Sequence, residues 1–451
     1  MLGAAGLNEA GPLLWPESPV FETNHSYWSQ AASPANPALT KDIDVDVAVL
    51  GGGLTGLSSA YYLCRNRPGT KAAVLEARGC GNGASGRNGA MVLTMTEDRF
   101  MNFSSDPALD QEIYALTAAN VHALQQLSLE SGIDCELDQD GSLQVFNDAN
   151  DVEAGRAYVA RARALRMPVE LWDQNQVQQA VGTKAYLGGF FDPAGGHVQP
   201  MKLVHVFKTA AQKAGAIVYE NTAIAHIEEG EPITLFTTDG KQVRARSMVL
   251  ATNAFSSKLG FFRNAILPVH EYVGITAPLS EAQLAATGWR KRIPFNDSRT
   301  EVFYLGLTRD GRIHIGGGHA TYGFNDDVRD PRDGPKHFNA LQHELARIYP
   351  SLASVEFEKT WTGVVDWALD ESPSVGRAGK QGNIFYGIGY SGHGVNLSSV
   401  FGRIIADLEG GRDAEWKRFP FVNRKLPYIP NEPFRSVGAR VAMAWYAMAG
   451  N

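Results

Sequence analysis

Cysteine is scarce in this chain of 451 residues: Cys64, Cys80 and Cys135 are the only three, and none share the short spacing of a metal site. An odd count this low argues against a disulfide framework and suits a reducing compartment. Long apolar runs are missing too, since none reaches the ~18 residues of a membrane span, and the stretch 1–19 lacks the basic region of a signal peptide. A cytoplasmic protein with no membrane span is expected. Positive charge is not in excess: 41 Lys and Arg stand against 48 Asp and Glu, for a formal charge of −7. Without a basic run, nucleic-acid binding is not expected. Internal repeats and low-complexity tracts are also lacking. What is present, 44% apolar and 20% charged residues, is ordinary for a globular enzyme with two or three cores.

The informative stretch lies between Val45 and Glu76. Val45, Val47, Ala48, Val49 and Leu50 make a short apolar strand, after which Gly51, Gly53 and Gly56 fall at the G-x-G-x-x-G spacing and a helix begins over 57–63. One glycine suits the tight turn, one lets backbone approach a pyrophosphate, and one lets the helix pack on the strand. The amides at the helix start, and its dipole, favour a diphosphate there. A second strand over 73–75 ends at Glu76, where a carboxylate would accept hydrogen bonds from an adenosine ribose and repel a 2′-phosphate. The spacing predicts an adenine dinucleotide and does not by itself separate NAD from FAD.

Along the rest of the chain, 1–40 is rich in Pro, Ala, Ser and Asn with isolated aromatics Trp15, Phe21, Tyr27 and Trp28, an arm on the body or a partly disordered tail. Helical spacing runs over 106–132, 151–164, 201–215, 337–349 and 397–408. Strands are expected over 142–146, 216–219 and 247–251, the last ending in Thr252 and Asn253. The stretch 268–318 alternates in the manner of a sheet, with Val302, Tyr304, Ile313 and Ile315 around the turn Asp310-Gly311. Nucleotide-binding pieces are thus scattered, with sheet-rich inserts between them.

The run Gly83-Ala84-Ser85-Gly86-Arg87-Asn88-Gly89-Ala90 is not required by a Rossmann NAD enzyme. It resembles the flavin-contacting turn of the D-amino acid oxidase superfamily of FAD amine oxidases, most of all its gamma-glutamylputrescine oxidase branch. Ala251-Thr252-Asn253-Ala254-Phe255 is similar to the family's strand end beside FAD. Trp361-x-Gly363 with Asp370, Pro373 and Gly376 resembles the segment that returns to the flavin, and Gly389-Tyr390-Ser391-Gly392-His393-Gly394 the final loop at the isoalloxazine. The likeness spans roughly 27–435 and favours FAD over NAD. It implies an α/β fold: a Rossmann-like FAD-binding domain from 41–105, 197–265 and 370–415, and an α+β substrate domain with a mixed antiparallel sheet from 106–196 and 266–369. An arm over 1–40 and an extension over 416–451 complete the chain.

The same resemblance implies cofactor contacts at Gly51, Gly53, Leu54, Thr55, Gly56, Glu76 and Ala77, and in the second turn at Ala84, Ser85, Arg87, Asn88, Gly89 and Ala90. Further contacts are implied at Ile224 by its main chain, at Ala251, Thr252 and Asn253, and at Gly389, Ser391, Gly392, His393, Gly394 and Val395. Donors from that last glycine-rich loop, at a helix start, would stabilise the charge gained when a flavin is reduced. The flavin is expected to be non-covalent, since 362–366 holds no cysteine and Arg87 and Asn88 stand at the position of a family histidine linkage.

Relatives acting on α-amino acids resemble one another in holding the carboxylate with an arginine, which in glycine oxidase lies four residues after the tryptophan matching Trp361. Here that position is Val365, followed by Asp366, and a second family arginine corresponds to Gly392. The clamp is therefore missing, and Asp366 could attract a cationic amine instead, or be solvated or paired structurally. His314 falls near the oxygen-activating lysine of monomeric sarcosine oxidase, although a core or surface histidine is the simpler explanation. His393 and Tyr304 are the other candidates beside the reacting atoms, Met91 and Val365 would line the pocket, and Arg299 is a free guanidinium for an anionic group. The implied activity is oxidation of a small-molecule amine to an imine, with O2 or another electron acceptor taking the electrons. A dehydrogenase serving a carrier, and a flavin-bearing subunit without turnover, are the alternatives. No metal site is expected, and the oligomeric state is left open.

Overall fold

The computed structural model describes residues 25–94 and 106–449, without the side chains of 445–449. Two sheets organise the chain. The first runs in the order 374–378, 384–388, 242–250, 43–50, 72–75, 217–219. Its centre is parallel: Ile43–Leu50 pairs with both Gln242–Leu250 and Ala72–Leu75, and Gln242–Leu250 with Ile384–Ile388. An antiparallel ribbon, Ile224–Glu228 with Ile233–Thr237, is added at Gln242–Leu250.

Side chains alternate across that sheet, as strand geometry requires. Val47 and Val49 point into a core with Leu57, Ala60 and Leu63 of the helix Leu54–Asn66, Phe207 of Pro200–Lys213, and Phe401 of Gly394–Glu409. Ala48 and Leu50 point the other way, to a core built from Ile233, Leu235, Val243 and Ile266. The helices Leu54–Asn66 and Gly394–Glu409 touch closely because small residues meet: a Cβ on Gly402 would lie 2.1 Å from Ser58 Oγ.

The second sheet runs 321–322, 267–276, 313–317, 303–307, 295–297, 142–146, 188–192, 170–173, with 357–367 on the other side of 267–276. It is antiparallel apart from the pairing of Phe295–Asp297 with Ser142–Phe146. The helix Gly334–Ile348 covers it through Leu341, Leu345 and Ile348 against Ile313, Ile315 and Leu305. The long pair Leu267–Thr276 and Phe357–Trp367, both in this sheet, carries its register from Leu267 opposite Trp367 to Ile275 opposite Lys359.

From His25 onward the arm lies on the body. Trp28 is 1% exposed, donates its indole N–H to the Asn88 carbonyl at 2.9 Å, and meets Trp361 edge-on with centroids 5.9 Å apart. Trp15 and Phe21 lie outside the described residues. Near the other end, the helix Phe434–Ala449 is fixed by a buried ion pair between Arg435 and Asp326, 2.8 Å long. Among the described residues no helix is long and apolar enough to cross a membrane, and the three cysteines are buried thiols.

Candidate active site

The register of the first sheet brings Leu50, Leu75 and Leu250 level, so the residues after these three strand ends emerge side by side. In open α/β sheets this is where ligands bind. Gly51, Glu76 and Ala251 follow those ends, and Gly389 follows Ile388 on the neighbouring strand. A cavity of 1170 Å³ opens there and extends to the second sheet, larger than the roughly 300–1,000 Å³ that holds one drug-sized ligand.

The glycines are steric requirements. Gly51 has φ +100, and a Cβ on it would lie 2.4 Å from the Ala251 carbonyl oxygen. A Cβ on Gly56 would lie 1.9 Å from the Gly51 carbonyl oxygen, so Gly56 sits beneath the turn and does not line the cavity. Gly53 caps the helix Leu54–Asn66 and offers no side chain, and His393 caps Gly394–Glu409 without a side-chain hydrogen bond. Two helix starts therefore face the cavity; the Leu54 amide donates to Ser85 Oγ at 2.9 Å, and the first-turn amides beyond it are left for a ligand. Thr55 and Tyr390 tie these two helix starts together through hydroxyls 2.8 Å apart. The glycine cradle, the acid at the strand end and a second uncapped helix start fit an adenine dinucleotide carrying a flat ring.

Most of the expected cofactor residues are gathered here. Gly51, Gly53, Leu54, Thr55, Glu76 and Ala77 line one end; Ala84, Ser85, Arg87, Asn88 and Gly89 a flank; Ile224, Ala251, Thr252 and Asn253 another; and Ser391, Gly392, His393, Gly394 and Val395 the far end. Glu76 accepts from the amides of Gly52 (2.7 Å) and Arg78 (2.9 Å), while burial pushes its carboxyl up from the usual range. Arg87 and Asn88 brace their own loop. The Arg87 guanidinium donates to the carbonyls of Asn82 at 2.7 Å and Thr362 at 3.0 Å, and the Asn88 amide donates to Ser85 O and accepts from Ala90 N, both at 2.9 Å. Ala90, at φ +60, and Gly389, at φ +74, support the turns from behind the lining.

Three substrate-side expectations need correction. Asp366 is fully buried and is no free anion: it accepts from Gly389 N at 2.7 Å, Tyr390 N at 3.2 Å and Asn253 Nδ2 at 2.7 Å. Burial pushes its pKa up to about 7 against the pull of those donors. Arg299 is not free either. Its Nε donates to Asp297 at 2.6 Å, its Nη2 reaches Glu344, and it stands outside the cavity lining. His314 is fully buried away from the cavity, its Nε2 3.0 Å from that of His197, and burial holds it well below the usual imidazole range. A neutral core histidine cannot stabilise superoxide by charge.

Met91, Val365, Tyr304 and His393 do line the cavity. The Tyr304 ring packs against two backbones that have no side chain: a Cβ on Gly89 or Gly316 would come within 2.3 Å of it. Burial keeps that phenol protonated. His393 sets its Nδ1 3.1 Å from the Ser391 carbonyl oxygen.

The structure also shows groups that the sequence reading passed over. Glu301 and His319 line the cavity as a pair, 2.7 Å apart, and Ala439 and Met443 reach it from the C-terminal helix. Glu271 is the most distinctive. It interrupts the cavity-facing series Leu267, Val269, Val273 on one strand, and a lone acid in an apolar period-two stripe was the signal available. Burial raises its carboxyl from the usual range, and His393 opposes that rise.

The chain matches the DAO family, FAD dependent oxidoreductase, over residues 46–408. It is 32% identical to gamma-glutamylputrescine oxidoreductase of Escherichia coli (strain K12) over 453 residues, 95% of this chain and 98% of that protein. Among solved structures, it is similar to glycine oxidase from Geobacillus kaustophilus, with a TM-score of 0.71 at 22% identity over 85% of this chain and 99% of the other. L-proline dehydrogenase from P. horikoshii gives 0.68 at 22% identity over 82% and 94%.

Proposed function

The chain belongs to the DAO family of FAD-dependent oxidoreductases, and we propose that it oxidises the C–N bond of a primary or secondary amine lacking a carboxylate on the reacting carbon. The observation that carries this reading is Val365, which lines the cavity at the position matching the carboxylate-holding arginine of glycine oxidase. The guanidiniums that do reach the lining are engaged: Arg87 with carbonyls, Arg329 with Asp327, and Arg78 with a partner of its own. An α-carboxylate would find no free guanidinium among the described residues.

When bound, FAD supplies the capacity to take hydrogen and two electrons from the carbon beside the substrate nitrogen. The chain supplies position. Backbone amides at Thr55 and at Gly392, Gly394 and Val395 would hold the nucleotide and the polar edge of the ring, those of Ser391 and His393 being taken by the Asp366 and Tyr390 carbonyls, while Leu267, Val269 and Val273 keep water from the reacting carbon. We take the flavin to be non-covalent: among the described residues no cysteine lines the cavity, and His319 and His393 are held by Glu301 and Ser391. Cys64, Cys80 and Cys135, all free, suit a cytoplasmic location. The two sheets correspond on this reading to a discontinuous FAD-binding domain (41–105, 197–265, 370–415) and a substrate domain (106–196, 266–369).

The test is anaerobic mixing of the yellow holoenzyme with a panel of amines, γ-glutamylputrescine included, and of α-amino acids. Bleaching by amines and peroxide release on admitting air is the expected result. Bleaching without peroxide would point to another electron acceptor. If α-amino acids alone bleach the flavin, the substrate assignment is wrong, and if nothing does, turnover is.

A further inference from the structure

Six acids line the cavity among the described residues: Glu76, Glu271, Glu301, Asp327, Asp366 and Glu371. Five have partners. Glu76 and Asp366 take backbone amides, Glu301 takes His319, Asp327 takes Arg329, and Glu371 has a partner of its own. Glu271 alone is engaged by no hydrogen bond or ion pair among the described residues.

Its surroundings leave room for a ligand. Directly across the sheet stands Gly363, and a methyl group placed on Gly392 would lie 3.8 Å from Glu271 Oε1. The open side is at Gly392, which has no side chain to fill the space in front of the carboxylate; the stem of Arg87 packs over Gly363, its Cβ 3.3 Å from where a Gly363 Cβ would lie, with its guanidinium turned to the Asn82 and Thr362 carbonyls. Leu267, Val269 and Val273 share its wall and offer no donor, so the charge would be poorly solvated unless a ligand met it. Tyr304 interacts with it as a protonated phenol, and His393 is close enough to lower its carboxyl pKa electrostatically.

We propose that Glu271 is the specificity-determining carboxylate, which receives the substrate's ammonium group against the turn at Gly392. This rests on the amine-oxidising reading and narrows it to small aliphatic amines that arrive as cations, at the place where an isolated carboxylate in an apolar wall selects charge most strongly. It assigns recognition to a residue on the strand Leu267–Thr276 and leaves Asp366, 95 positions later in sequence, a purely structural part.

The experiment uses holoenzyme whose flavin has been reduced beforehand with dithionite, so that binding is read without turnover. Putrescine, butylammonium and the uncharged 1-butanol are titrated by calorimetry into the wild type, Glu271→Gln and Glu271→Asp. Glu271→Gln is expected to weaken both cations by roughly tenfold or more while 1-butanol is unaffected, and Glu271→Asp to restore part of the loss. Equal cation affinity in wild type and Glu271→Gln, at unchanged flavin content, overturns the proposal, as does a wild type that binds neither cation. If cations bind through Glu271 but no amine bleaches the oxidised flavin, the recognition site stands and the turnover reading fails. Should Glu271→Gln shift only the flavin reduction potential, the carboxylate tunes the ring and does not recognise substrate.

Discussion

The Oδ2 atom of Asp366 accepts a 2.7 Å hydrogen bond from the amide of Gly389. With Oδ1 taken by Asn253 and Tyr390, this one carboxylate ties the end of a long antiparallel strand to the 251–253 turn and to the start of the last glycine loop. Asp366→Ala would leave three donors without their acceptor, at about 1–3 kcal/mol for each group left buried and unsatisfied. Flavin content, from the absorbance ratio of purified protein, and the urea midpoint should both fall. Amine affinity in the fraction that keeps its flavin should not change. Full flavin content with weakened amine binding would return Asp366 to substrate recognition.

His197 and His314 set their Nε2 atoms 3.0 Å apart, which leaves room for one hydrogen between them. Burial, reinforced by Arg309, lowers His197 to about 4, and burial with His197 and Arg292 lowers His314 well below its usual value. Between the ordinary imidazole value near 6.5 and that depressed one, the unfolded chain binds protons that the native state refuses. Stability from His197 is thus complete above pH ~6.5 and is lost as pH falls toward 4, by about 3 kcal/mol in all. Urea unfolding followed from pH 7 to pH 4 should show this slope in the wild type and a flatter one in His197→Gln. Identical slopes would mean that the pair does not govern acid sensitivity.

What could be read from sequence was local. The 51–56 fingerprint, the helix ending at Gly132 with φ +77 and the turn at Gly311 with φ +78 each depend on residues a few positions apart. The strand Gln242–Leu250 was legible only from 247, because its first half alternates, with Gln242, Arg244 and Arg246 facing solvent. The helix Gly334–Ile348 begins earlier than its apolar spacing suggests, since proline is tolerated in a first turn. Site residues were harder where their meaning depends on distant partners. Arg299 meets Glu344 45 residues away, His314 meets His197 117 away, and the lone status of Glu271 is visible only once the partners of the other cavity acids are known.

Gly56→Ala tests the nucleotide cradle. The added methyl group would fall 1.9 Å from the Gly51 carbonyl oxygen, and Gly51 itself sits against the Ala251 carbonyl so closely that a Cβ on it would lie 2.4 Å from that oxygen. Overpacking of this kind costs about 1–3 kcal/mol, and moving the turn should empty the flavin site altogether. Gly438→Ala is the comparison: no atom lies within 4 Å of its Cβ, and it sits inside the helix Phe434–Ala449. Helix propensity alone should make that variant neutral to about 1 kcal/mol more stable. Retained flavin in Gly56→Ala, read by absorbance, would show that the fingerprint turn is not where the dinucleotide is held.

Arg299 is a structural cation. Its guanidinium bridges Asp297 and Glu344 and lies 4.5 Å from the Phe303 ring centre, and Asp297, even so paired, is pushed up to about 6 by burial. Arg299→Met would leave Glu344 with Arg347 at 2.7 Å but Asp297 buried without a cation, holding the Phe303 amide at 3.1 Å, at a cost of about 3–5 kcal/mol. Losing the cation raises the Asp297 pKa further, so the native state takes up a proton and the penalty shrinks in acid. The midpoint deficit against wild type should therefore be larger at pH 8 than at pH 5, with amine KM unchanged. A stable Arg299→Met that binds anionic substrates poorly would instead place this guanidinium at the substrate.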